Sequence, residues 1–332
     1  MRRAVALARK GLGRTSPNPV VGCVIVRSGE VVGEGWHQEA GGPHAEVHAL
    51  RAAGRRARGG TAYVTLEPCA HEGRTPACAD ALLEAGIVRV VYAVADPVHG
   101  GGAERLRANG VDAVAGVEVA RASEVNEAWL VSVIRGRPFV ALKTASSLDG
   151  RIATAQGRSK WITGPAARRA VARLRDRHDA VLVGTGTLLA DDPRLTSRIS
   201  GGRHPIRVAL DARMRCPRDA RILGEGGPTW IAAPSSGQAA PAGAKLLPVG
   251  TLPDGRIALP ELFAELHARG VVSVLCEGGA TLAGALLEQG LVDRVYAFIA
   301  PIWLGDDGLP LARMAGPESP DDARRLTDVR RT

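Results

Sequence analysis

Four chemically reactive side chains constrain this chain more than any other sequence feature. His44 and Glu46 form a His-x-Glu pair, and Cys69 and Cys78 follow further along the chain. The histidine and the two thiolates can supply three zinc ligands, and the glutamate supplies a carboxylate that is not a ligand. A structural zinc site closes its tetrahedron with four protein ligands, whereas three leave a position for a water molecule whose pKa the metal lowers to about 7. The pattern predicts a hydrolytic zinc site.

The His-x-Glu pair is predicted to begin a helix, because Pro43 precedes it and proline favours a helix start. One residue of the pair can then hold the metal while Glu46 reaches the bound water. Glu46 would take a proton from that water and pass it to the leaving nitrogen, as in zinc deaminases. Pro68 predicts a helix or turn start at Cys69, and the N-terminal end of a helix favours a thiolate.

A simpler interpretation exists for each of these residues alone, since a single histidine or cysteine usually packs in a core. The ordered combination of His-x-Glu and Pro-Cys after a strand favours catalytic zinc. Zinc deaminases usually have a Cys-x-x-Cys pair, but eight residues separate the cysteines here, which narrows the choice of family. The histidines without comparable spacing are excluded from the predicted ligands: His37, His48, His71 and His99.

The length and composition favour a two-domain enzyme of the cytoplasm. A chain of 332 residues is too long for one typical core, and five cysteines, two of them assigned to zinc, do not form a disulfide framework. No apolar stretch is long enough to span a bilayer. The net charge of +9 raises the question of nucleic-acid binding, but the arginines are dispersed along the chain. We therefore expect a phosphorylated small molecule as partner, no nucleic acid, no membrane, and a homo-oligomer.

Helical and strand-like segments alternate, which predicts an α/β fold with helices on a sheet. The Arg-Gly-Arg-Pro segment at 135–138 is a plausible junction and divides the chain into domains 1–136 and 137–332. The predicted elements of the first half are helices 2–12, 45–57, 76–85 and 102–108 and strands 20–26, 30–35, 62–66 and 88–94. The predicted strands of the second half are 139–143, 179–183, 206–210, 229–233, 271–276 and 292–299.

Three turns could contribute to ligand binding. Ligands of open α/β sheets bind at the carboxyl ends of strands, and Gly278 and Gly279 follow such a strand and open a helix whose N–H groups can cradle a phosphate. A tight packing turn explains the two glycines equally well. Asp191 can be an ordinary helix cap. Asn18, in a Pro-Asn-Pro turn, can present its amide to a bound ring or bond its own backbone.

Across nearly its whole length the chain resembles the bifunctional deaminase/reductase family of riboflavin biosynthesis. In the first half the resemblance rests on the segments 17–26, 44–50 and 65–71, and on a long loop between the cysteines that contains Gly73-Arg74-Thr75-Pro76. In the second half it rests on the segments 142–143, 147–150, 161–163, 190–193, 195–196 and 277–284. Among zinc deaminases, the loop between the cysteines is specific to this family.

The resemblance implies a cytidine-deaminase-like αβα sandwich at residues 1–136 and a dihydrofolate-reductase-like α/β domain at 137–332. The first domain would hold one zinc per chain, with Glu46 as its proton shuttle. It would hydrolyse the 2-amino group of 2,5-diamino-6-ribosylamino-4(3H)-pyrimidinone 5′-phosphate. The second would reduce the ribosyl group to ribityl with NADPH and give 5-amino-6-(5-phosphoribitylamino)uracil.

The resemblance also implies individual contacts in the second domain. The implied substrate contacts are Ser159, Arg175, Leu195, Arg198 and Glu277. The implied cofactor contacts are Ala145, Trp161, Thr187, Asp191, Ala212, Gly279, Ala280, Thr281, Leu282, Ala283, Gly284 and Ala285. Arg175 and Arg198 can form charge-assisted bonds to the 5′-phosphate, or they can be solvated surface charges. Lys143 can polarise or protonate the opening sugar, or present only its stem at the surface.

Two departures from the family pattern carry expectations of their own. The loop 96–102 is shorter than the family's usual version, so no substrate contact is carried over to it. The family normally continues beyond residue 332 into a further strand, so we expect an exposed sheet edge in the second domain.

Three rival functions follow from parts of the same pattern. A nucleic-acid deaminase would suit the positive charge but not the cysteine spacing or the second half. A nucleotide-pool deaminase with an inert second domain is closer. A binding module with a purely structural zinc is the third, and Glu46 argues against it because a structural site needs no free carboxylate.

Overall fold

The computed structural model describes residues 1–71, 77–235 and 239–331. The Gly73-Arg74-Thr75-Pro76 motif lies outside these described residues. One sheet organises each half of the described chain, a mixed sheet in the first half and a parallel sheet in the second, and helices lie between most of the strands. The predicted α/β architecture is confirmed.

The N-terminal sheet has five strands in the order β2-β1-β3-β4-β5. Its strands are β1 (Gly22–Arg27), β2 (Glu30–Trp36), β3 (Thr61–Leu66), β4 (Arg89–Val94) and β5 (Asp112–Val114). Strand β1 runs antiparallel to β2 and β3, whereas β3, β4 and β5 are parallel. Successive residues of β1 pack into different apolar clusters, so the sheet is covered on both faces.

Six helices belong to the first half of the chain: α1 (Arg2–Ala8), α2 (Ala45–Ala53), α3 (Cys78–Glu84), α4 (Gly102–Ala108), α5 (Val119–Val125) and α6 (Glu127–Arg135). Helices α2, α3 and α4 share one apolar cluster with the sheet, while α1 and α5 contribute to the clusters of the opposite face. The predicted helix 2–12 divides into α1 and a short 3₁₀ helix, Arg9–Gly11.

Helix α2 lies unusually close to the sheet because both partners are small. A Cβ atom on Gly33 would collide with the backbone of Ala49, and one on Gly35 would collide with the backbone of Ala45. Both alanines are fully buried. This close packing fixes the N-terminal end of α2, where the His-x-Glu pair lies.

The second half contains a seven-stranded sheet in the order β11-β10-β9-β8-β12-β6-β13, in which every neighbouring pair is parallel. Its strands are β6 (Phe139–Ser146), β8 (Ala180–Gly184), β9 (Ile206–Leu210), β10 (Thr229–Ala233), β11 (Lys245–Pro248), β12 (Ser273–Cys276) and β13 (Arg294–Ile299). Two short strands, β7 (Arg151–Ala153) and β14 (Leu309–Pro310), form a separate antiparallel pair. The helices of this half are α7 (Pro165–Arg177), α8 (Thr185–Asp191), α9 (Leu259–Ala268) and α10 (Ala280–Glu288).

The strand order of this sheet predicts where a binding crevice lies. The chain moves outward from β8 to β11 and then returns to insert β12 between β8 and β6. Ligands of open parallel sheets bind at the carboxyl ends of the strands, where the winding reverses in this way. Helices α8 and α10 begin directly at those strand ends.

The two helices that precede the junction serve different halves. Ala122 and Val125 of α5 pack with the N-terminal sheet, whereas Ala128 and Val131 of α6 pack against the apolar cluster of the C-terminal sheet. Between the helices, Asn126 is buried and bonds both the N–H and the carbonyl of the backbone just before β1. Helix α6 therefore precedes the predicted boundary in sequence but covers the second sheet.

Among the residues that the structure describes, no helix combines the length and the apolar character that crossing a membrane requires.

Candidate active sites

The first candidate site joins three side chains that begin or precede helices. His44 is the N-cap of α2, and Cys78 is the first residue of α3. Cys69 lies in the loop after β3. His44 Nδ1 lies 3.1 Å from Cys78 Sγ and 3.7 Å from Cys69 Sγ. All three donor atoms lie within 4.8 Å of one another, close enough to share one metal ion.

The predicted helix or turn start at Cys69 is wrong. Cys69 stays in a loop, and the helix begins at Cys78 instead. The expected electrostatic effect is nevertheless present, because the backbone N–H of Cys78, at the first turn of α3, donates to Cys69 Sγ at 3.3 Å. An N–H at this end of a helix stabilises a thiolate.

The lowered pKa of Cys69 favours its thiolate form, which favours binding of a cation. Hydrogen bonding by Cys78 and by His44 lowers the pKa of Cys69 to about 4. Hydrogen bonding to Cys69 and burial raise the pKa of Cys78 well above its usual range, and hydrogen bonding to Cys69 raises the pKa of His44. The cluster holds a thiolate and shared protons that a metal ion displaces when it binds.

Glu46 lies beside this cluster but outside the group of potential ligands. Its side chain is buried, with the residue 3% exposed, because it faces inward from the first turn of α2. Burial raises the pKa of Glu46 to about 7, against the opposing charge of His44. A carboxyl group of that pKa can gain and lose a proton near neutral pH, as a general acid/base requires.

Two cysteine sulfurs and one imidazole match the ligands of catalytic zinc, and the carboxyl group of Glu46 lies beside them. Zinc binds sulfur and nitrogen ligands, and catalytic sites keep three of them so that one position stays open. The described cluster offers three ligand atoms and no fourth. Residues His44, Cys69 and Cys78 therefore fit a catalytic zinc ion.

His37 packs against His44 and bonds to Asn18, and the spacing of these residues in the sequence did not reveal these contacts. The rings of His37 and His44 meet edge to face, with centroids 5.5 Å apart. His37 Nδ1 donates to the carbonyl of Pro43 at 3.0 Å, so His37 Nε2 accepts from the Asn18 amide at 3.1 Å. Burial lowers the pKa of His37, which favours this neutral form. The bond orients Asn18 through its Nδ2, so its Oδ1 is still an acceptor for a ligand.

The loop 96–102 is held by a buried carboxylate. Glu67 accepts hydrogen bonds from the backbone N–H groups of Gly101, Ala103 and Asp96. His99, within this loop, packs against His71 with ring centroids 4.3 Å apart and ring planes tilted by 31°. These bonds join the loop before α4 to the end of β3, next to the cysteine cluster.

The second candidate site is a pair of adjoining cavities in the C-terminal half. The first has a volume of about 680 Å³ and lies at the carboxyl ends of β8, β9 and β12. The implied contacts that line it are Ser159, Thr187, Asp191, Ala212, Gly279, Ala280, Thr281, Leu282 and Ala285. The second has a volume of about 750 Å³ and is lined by Lys143, Ala145, Trp161, Arg198 and Glu277, and both cavities share Ser159, Thr187, Asp191 and Gly279.

The structure separates a few implied contacts from these cavities. Leu195 is 2% exposed and packs in the core on the α6 side of the sheet. Ala283 and Gly284 lie on the buried side of α10, where a Cβ atom on Gly284 would collide with the backbone of Arg313. Arg175 lines neither cavity, but it binds Glu277, which does.

A network of charged side chains lies at the second cavity. Arg175 forms two hydrogen bonds with Glu277, at 2.6 and 2.9 Å, and Lys143 Nζ lies 4.0 Å from the same carboxylate. Burial acts to raise the pKa of Glu277, but the charge and hydrogen bonds of Arg175 outweigh it and lower the pKa. Arg175 has a side chain that is 11% exposed, so it is not a solvated surface charge.

Arg198 is the exposed cation of this group. Burial of part of its side chain and the charge of Arg175 lower its pKa. Within the described chain Arg198 makes no ion pair, and its side chain lines the second cavity. An anionic group bound there would meet a cation that is not already neutralised.

The first cavity fits a dinucleotide. Its walls include the N-terminal residues of α10, a helix of nine residues, and glycines at positions 184, 186 and 279. No neighbouring atom lies within 4 Å of the position that a Cβ on Gly186 would take, so the wall is open at that point. Helix N-termini and glycines let the backbone approach a pyrophosphate group.

Comparisons with known proteins match both halves. Residues 1–94 match the cytidine and deoxycytidylate deaminase zinc-binding region, and residues 138–330 match the RibD C-terminal domain. The riboflavin biosynthesis protein RibD of Escherichia coli is 45% identical over 342 residues, which cover 97% of this chain and 92% of that protein. This chain belongs to the RibD family.

Solved RibD structures extend the match to three dimensions. Acinetobacter baumannii RibD superimposes with a TM-score of 0.89 at 42% identity, covering 98% of this chain and 92% of that one. The diaminohydroxyphosphoribosylaminopyrimidine deaminase/5-amino-6-(5-phosphoribosylamino)uracil reductase of Thermotoga maritima gives 0.87 at 39% identity, covering 94% and 88%. Members of the RibD family combine a zinc-dependent deaminase with an NADPH-dependent reductase, so the predicted pair of cofactors is confirmed at the level of the family.

Proposed function

We propose that this chain catalyses two consecutive reactions of riboflavin biosynthesis. It hydrolyses the 2-amino group of 2,5-diamino-6-ribosylamino-4(3H)-pyrimidinone 5′-phosphate, and it then reduces the ribosyl group of the deaminated product to ribityl. The observation that carries the proposal is the combination, in one RibD-family chain, of a His-Cys-Cys cluster beside buried Glu46 and a dinucleotide-sized cavity beside a network of cations.

His44, Cys69 and Cys78 would hold the zinc, and Glu46 would move the protons of the deamination. Zinc, when bound, lowers the pKa of water and makes it a nucleophile at neutral pH. Glu46 accepts the proton that the water loses and delivers it to the amino nitrogen, which departs as ammonia. Asn18, held by His37, orients the pyrimidine ring through its free carbonyl oxygen.

The second cavity would hold the sugar phosphate next to the nicotinamide. NADPH, when bound, supplies the hydride. Arg198, with Arg175 behind it, binds the 5′-phosphate, since arginine forms charge-assisted bonds to phosphate oxygens. Lys143 gives a proton to the ring oxygen as the sugar opens, and Glu277 holds Lys143 in place from 4.0 Å. The cavities share Ser159, Thr187 and Asp191, so the cofactor and the sugar meet at this wall.

The remaining implied contacts have supporting roles in this proposal. Ala283 and Gly284 hold α10 against the core so that the cofactor-facing residues of the helix keep their places. Leu195, buried beneath the loop that carries Arg198, anchors that loop. Cofactor contacts by Ala145, Trp161 and Ala212 are proposed from their positions in the cavity walls.

A coupled assay tests the proposal. The purified chain is given the diaminopyrimidine substrate and NADPH, and both ammonia release and NADPH oxidation are followed. We expect NADPH oxidation to begin only after ammonia has been released. Deamination of dCMP or of a nucleic acid, with no NADPH oxidation on the diaminopyrimidine, would favour a rival deaminase.

We also propose that the protein has two domains, at 1–136 and 137–332, and that it acts as a homo-oligomer in the cytoplasm. None of the five cysteines forms a disulfide, which suits a reducing compartment. Strand β13 is an outer strand of its sheet and exposes Ile299 at 63%, so two copies could pair along this edge. Light scattering of the purified protein measures the oligomeric state, and a monomeric mass would contradict this part.

A further inference from the structure

The first half of the chain touches the helix that carries Arg175. Arg14, in the turn after α1, donates from Nη2 to both carboxylate oxygens of Asp176, at 3.0 and 3.1 Å. Arg14 Nη1 also donates to the backbone carbonyl of Asp176 at 3.4 Å. Gly13 is so close to the end of α7 that a Cβ atom there would lie 2.5 Å from the Asp176 carbonyl oxygen. This contact is specific in geometry and crosses from one half to the other.

Asp176 has a second partner, in the loop 196–203. The backbone N–H of Arg203 donates to Asp176 Oδ1 at 2.7 Å. Arg175, the preceding residue, donates from Nη1 to the backbone carbonyl of Thr196 at 3.1 Å. Two consecutive residues of α7 therefore hold the two ends of this loop. Arg198 lies between the two points of attachment.

The loop needs such attachments because its backbone is strained. Leu195 and Arg198 have positive φ angles of 54° and 58°. Each such conformation of a residue other than glycine is unfavourable and persists only when surrounding contacts enforce it. Weaker attachment at one end would let Arg198 leave the orientation that faces the second cavity.

The Arg14–Asp176 pair is better suited to orienting a loop than to stabilising the fold. The Arg14 side chain is 38% exposed and that of Asp176 is 16% exposed. Ion pairs near the surface contribute little to the free energy of unfolding. Arg14 nevertheless holds Asp176 at three acceptor atoms, because Nη2 donates to both carboxylate oxygens and Nη1 donates to the backbone carbonyl. These bonds fix the direction of the carboxylate, whose Oδ1 also accepts from the N–H of Arg203.

We propose that Arg14 is a positioning residue of the reductase reaction, which acts through Asp176 to hold the loop that presents Arg198 to the substrate phosphate. This inference rests on the proposed phosphate-binding role of Arg198. It means that the deaminase half supplies part of the reductase site's support, although its own chemistry takes place at the zinc cluster.

The test is steady-state kinetics of the full chain with the deaminated 5′-phosphate and with the same compound lacking its phosphate. We expect Arg14→Ala to raise the KM for the phosphorylated substrate about five- to tenfold, the range for coupled residues in one network. The kcat, the KM for the dephosphorylated compound, NADPH affinity and ammonia release should be unchanged. Arg14→Lys should recover part of the binding, because it keeps a charged donor for the Asp176 carboxylate but lacks the second nitrogen that donates to the Asp176 carbonyl.

Three further variants keep the test decisive. Asp176→Asn should raise the same KM, and the double variant should be no worse than the more affected single variant, because both changes break one linkage. Arg3→Ala is the matched control, since Arg3 makes a bidentate pair with Glu34 within the first half and should leave every parameter unchanged.

Arg198→Ala in the same series separates the two levels of the proposal. An unchanged KM for the phosphorylated substrate in Arg198→Ala would overturn the phosphate assignment, and the positioning role with it. A raised KM in Arg198→Ala but not in Arg14→Ala or Asp176→Asn would overturn the positioning role alone. An equal loss for the phosphorylated and dephosphorylated substrates would also contradict it.

Discussion

The two sites of this chain are assembled at different sequence distances. The His-Cys-Cys cluster joins His44 to Cys78, 34 positions apart. Its geometry follows from a helix start and the loop before another helix. The reductase site depends on pairs such as Arg175 and Glu277, 102 positions apart. It also depends on Arg14, which is 162 positions from Asp176. A site of local origin tolerates changes elsewhere, whereas a site built from distant segments depends on the packing of the whole fold.

The two sites also differ in charge. The first candidate site brings together two cysteines and the carboxyl group of Glu46, whereas the second brings together three cations and the carboxylate of Glu277. The three cations are Arg175, Arg198 and Lys143. This contrast agrees with zinc in one half and a phosphorylated substrate in the other. Substitutions in the two halves should therefore affect different measurable properties.

The largest expected effect is the loss of metal. Cys69→Ser or Cys78→Ser should remove the zinc, about one per chain in the parent protein, together with detectable ammonia release, because a serine hydroxyl does not replace a thiolate ligand. Metal content is measured by atomic spectroscopy. Cys216→Ser, at a buried cysteine outside the cluster, is the control and should keep its zinc. Full occupancy in Cys69→Ser or Cys78→Ser would remove that cysteine from the ligands.

The next effect separates metal binding from proton transfer. Glu46→Gln should keep zinc but lower the rate of ammonia release by about a hundredfold or more, the range for a general acid/base residue. The amide has the size of the carboxyl group and cannot exchange its proton. The measurement is ammonia release at saturating substrate. An unchanged rate would end the proton-shuttle assignment.

In the other half, Arg198→Ala should lower kcat/KM for the phosphorylated substrate. The expected loss corresponds to about 1.5–3 kcal/mol, the value for hydrogen bonds that involve a charge. NADPH affinity and ammonia release should stay unchanged. Arg173→Ala, on the exposed side of α7, is the matched control. Arg175→Ala is a less clear test, because it leaves Glu277 buried without its main partner.

The smallest expected effect is a loss of stability on changing α6, which precedes the proposed boundary but packs on the second sheet. Val131→Ala should lower the free energy of unfolding of the C-terminal half by about 1 kcal/mol, since it removes partly buried methyl groups. Ile134→Ala, at a side chain that is 69% exposed on the same helix, should change it by less than about 0.5 kcal/mol. Urea unfolding, monitored through the loss of NADPH binding, measures the free energy of unfolding of both variants. Equal effects would mean that α6 does not support this half.

The grouping of His44, Cys69 and Cys78, the proposed zinc ligands, could be predicted from the sequence because its signals are local. The position of Glu46 in the first turn of α2 follows from Pro43 and the helical pattern that begins at Ala45. Cys69 was assigned to a helix or turn start because proline precedes it. The position of Cys69 in a loop goes with its contact to the backbone N–H of Cys78, and no local pattern around Cys69 defines that contact.

Helices α5 and α6 and the reductase contacts were beyond local prediction. Ala122 and Val125 face one sheet while Ala128 and Val131 face the other, so residues 121–137 have no single apolar stripe. The bond between Asn18 and His37, and the loop attachment by Asp176, depend on segments that only the folded chain brings together. The reductase contacts were therefore predicted only through the family resemblance.

NADPH oxidation by full-length Glu46→Gln, supplied with substrate that is already deaminated, tests the central claim most directly. The claim is that deamination and reduction occur at separate sites, one in each half of the chain. Glu46 lies beside the zinc cluster and lines neither cavity of the second half. We predict that the variant oxidises NADPH at the rate of the parent protein while its ammonia release is severely reduced. Loss of NADPH oxidation in the folded variant would show that the two reactions share a site.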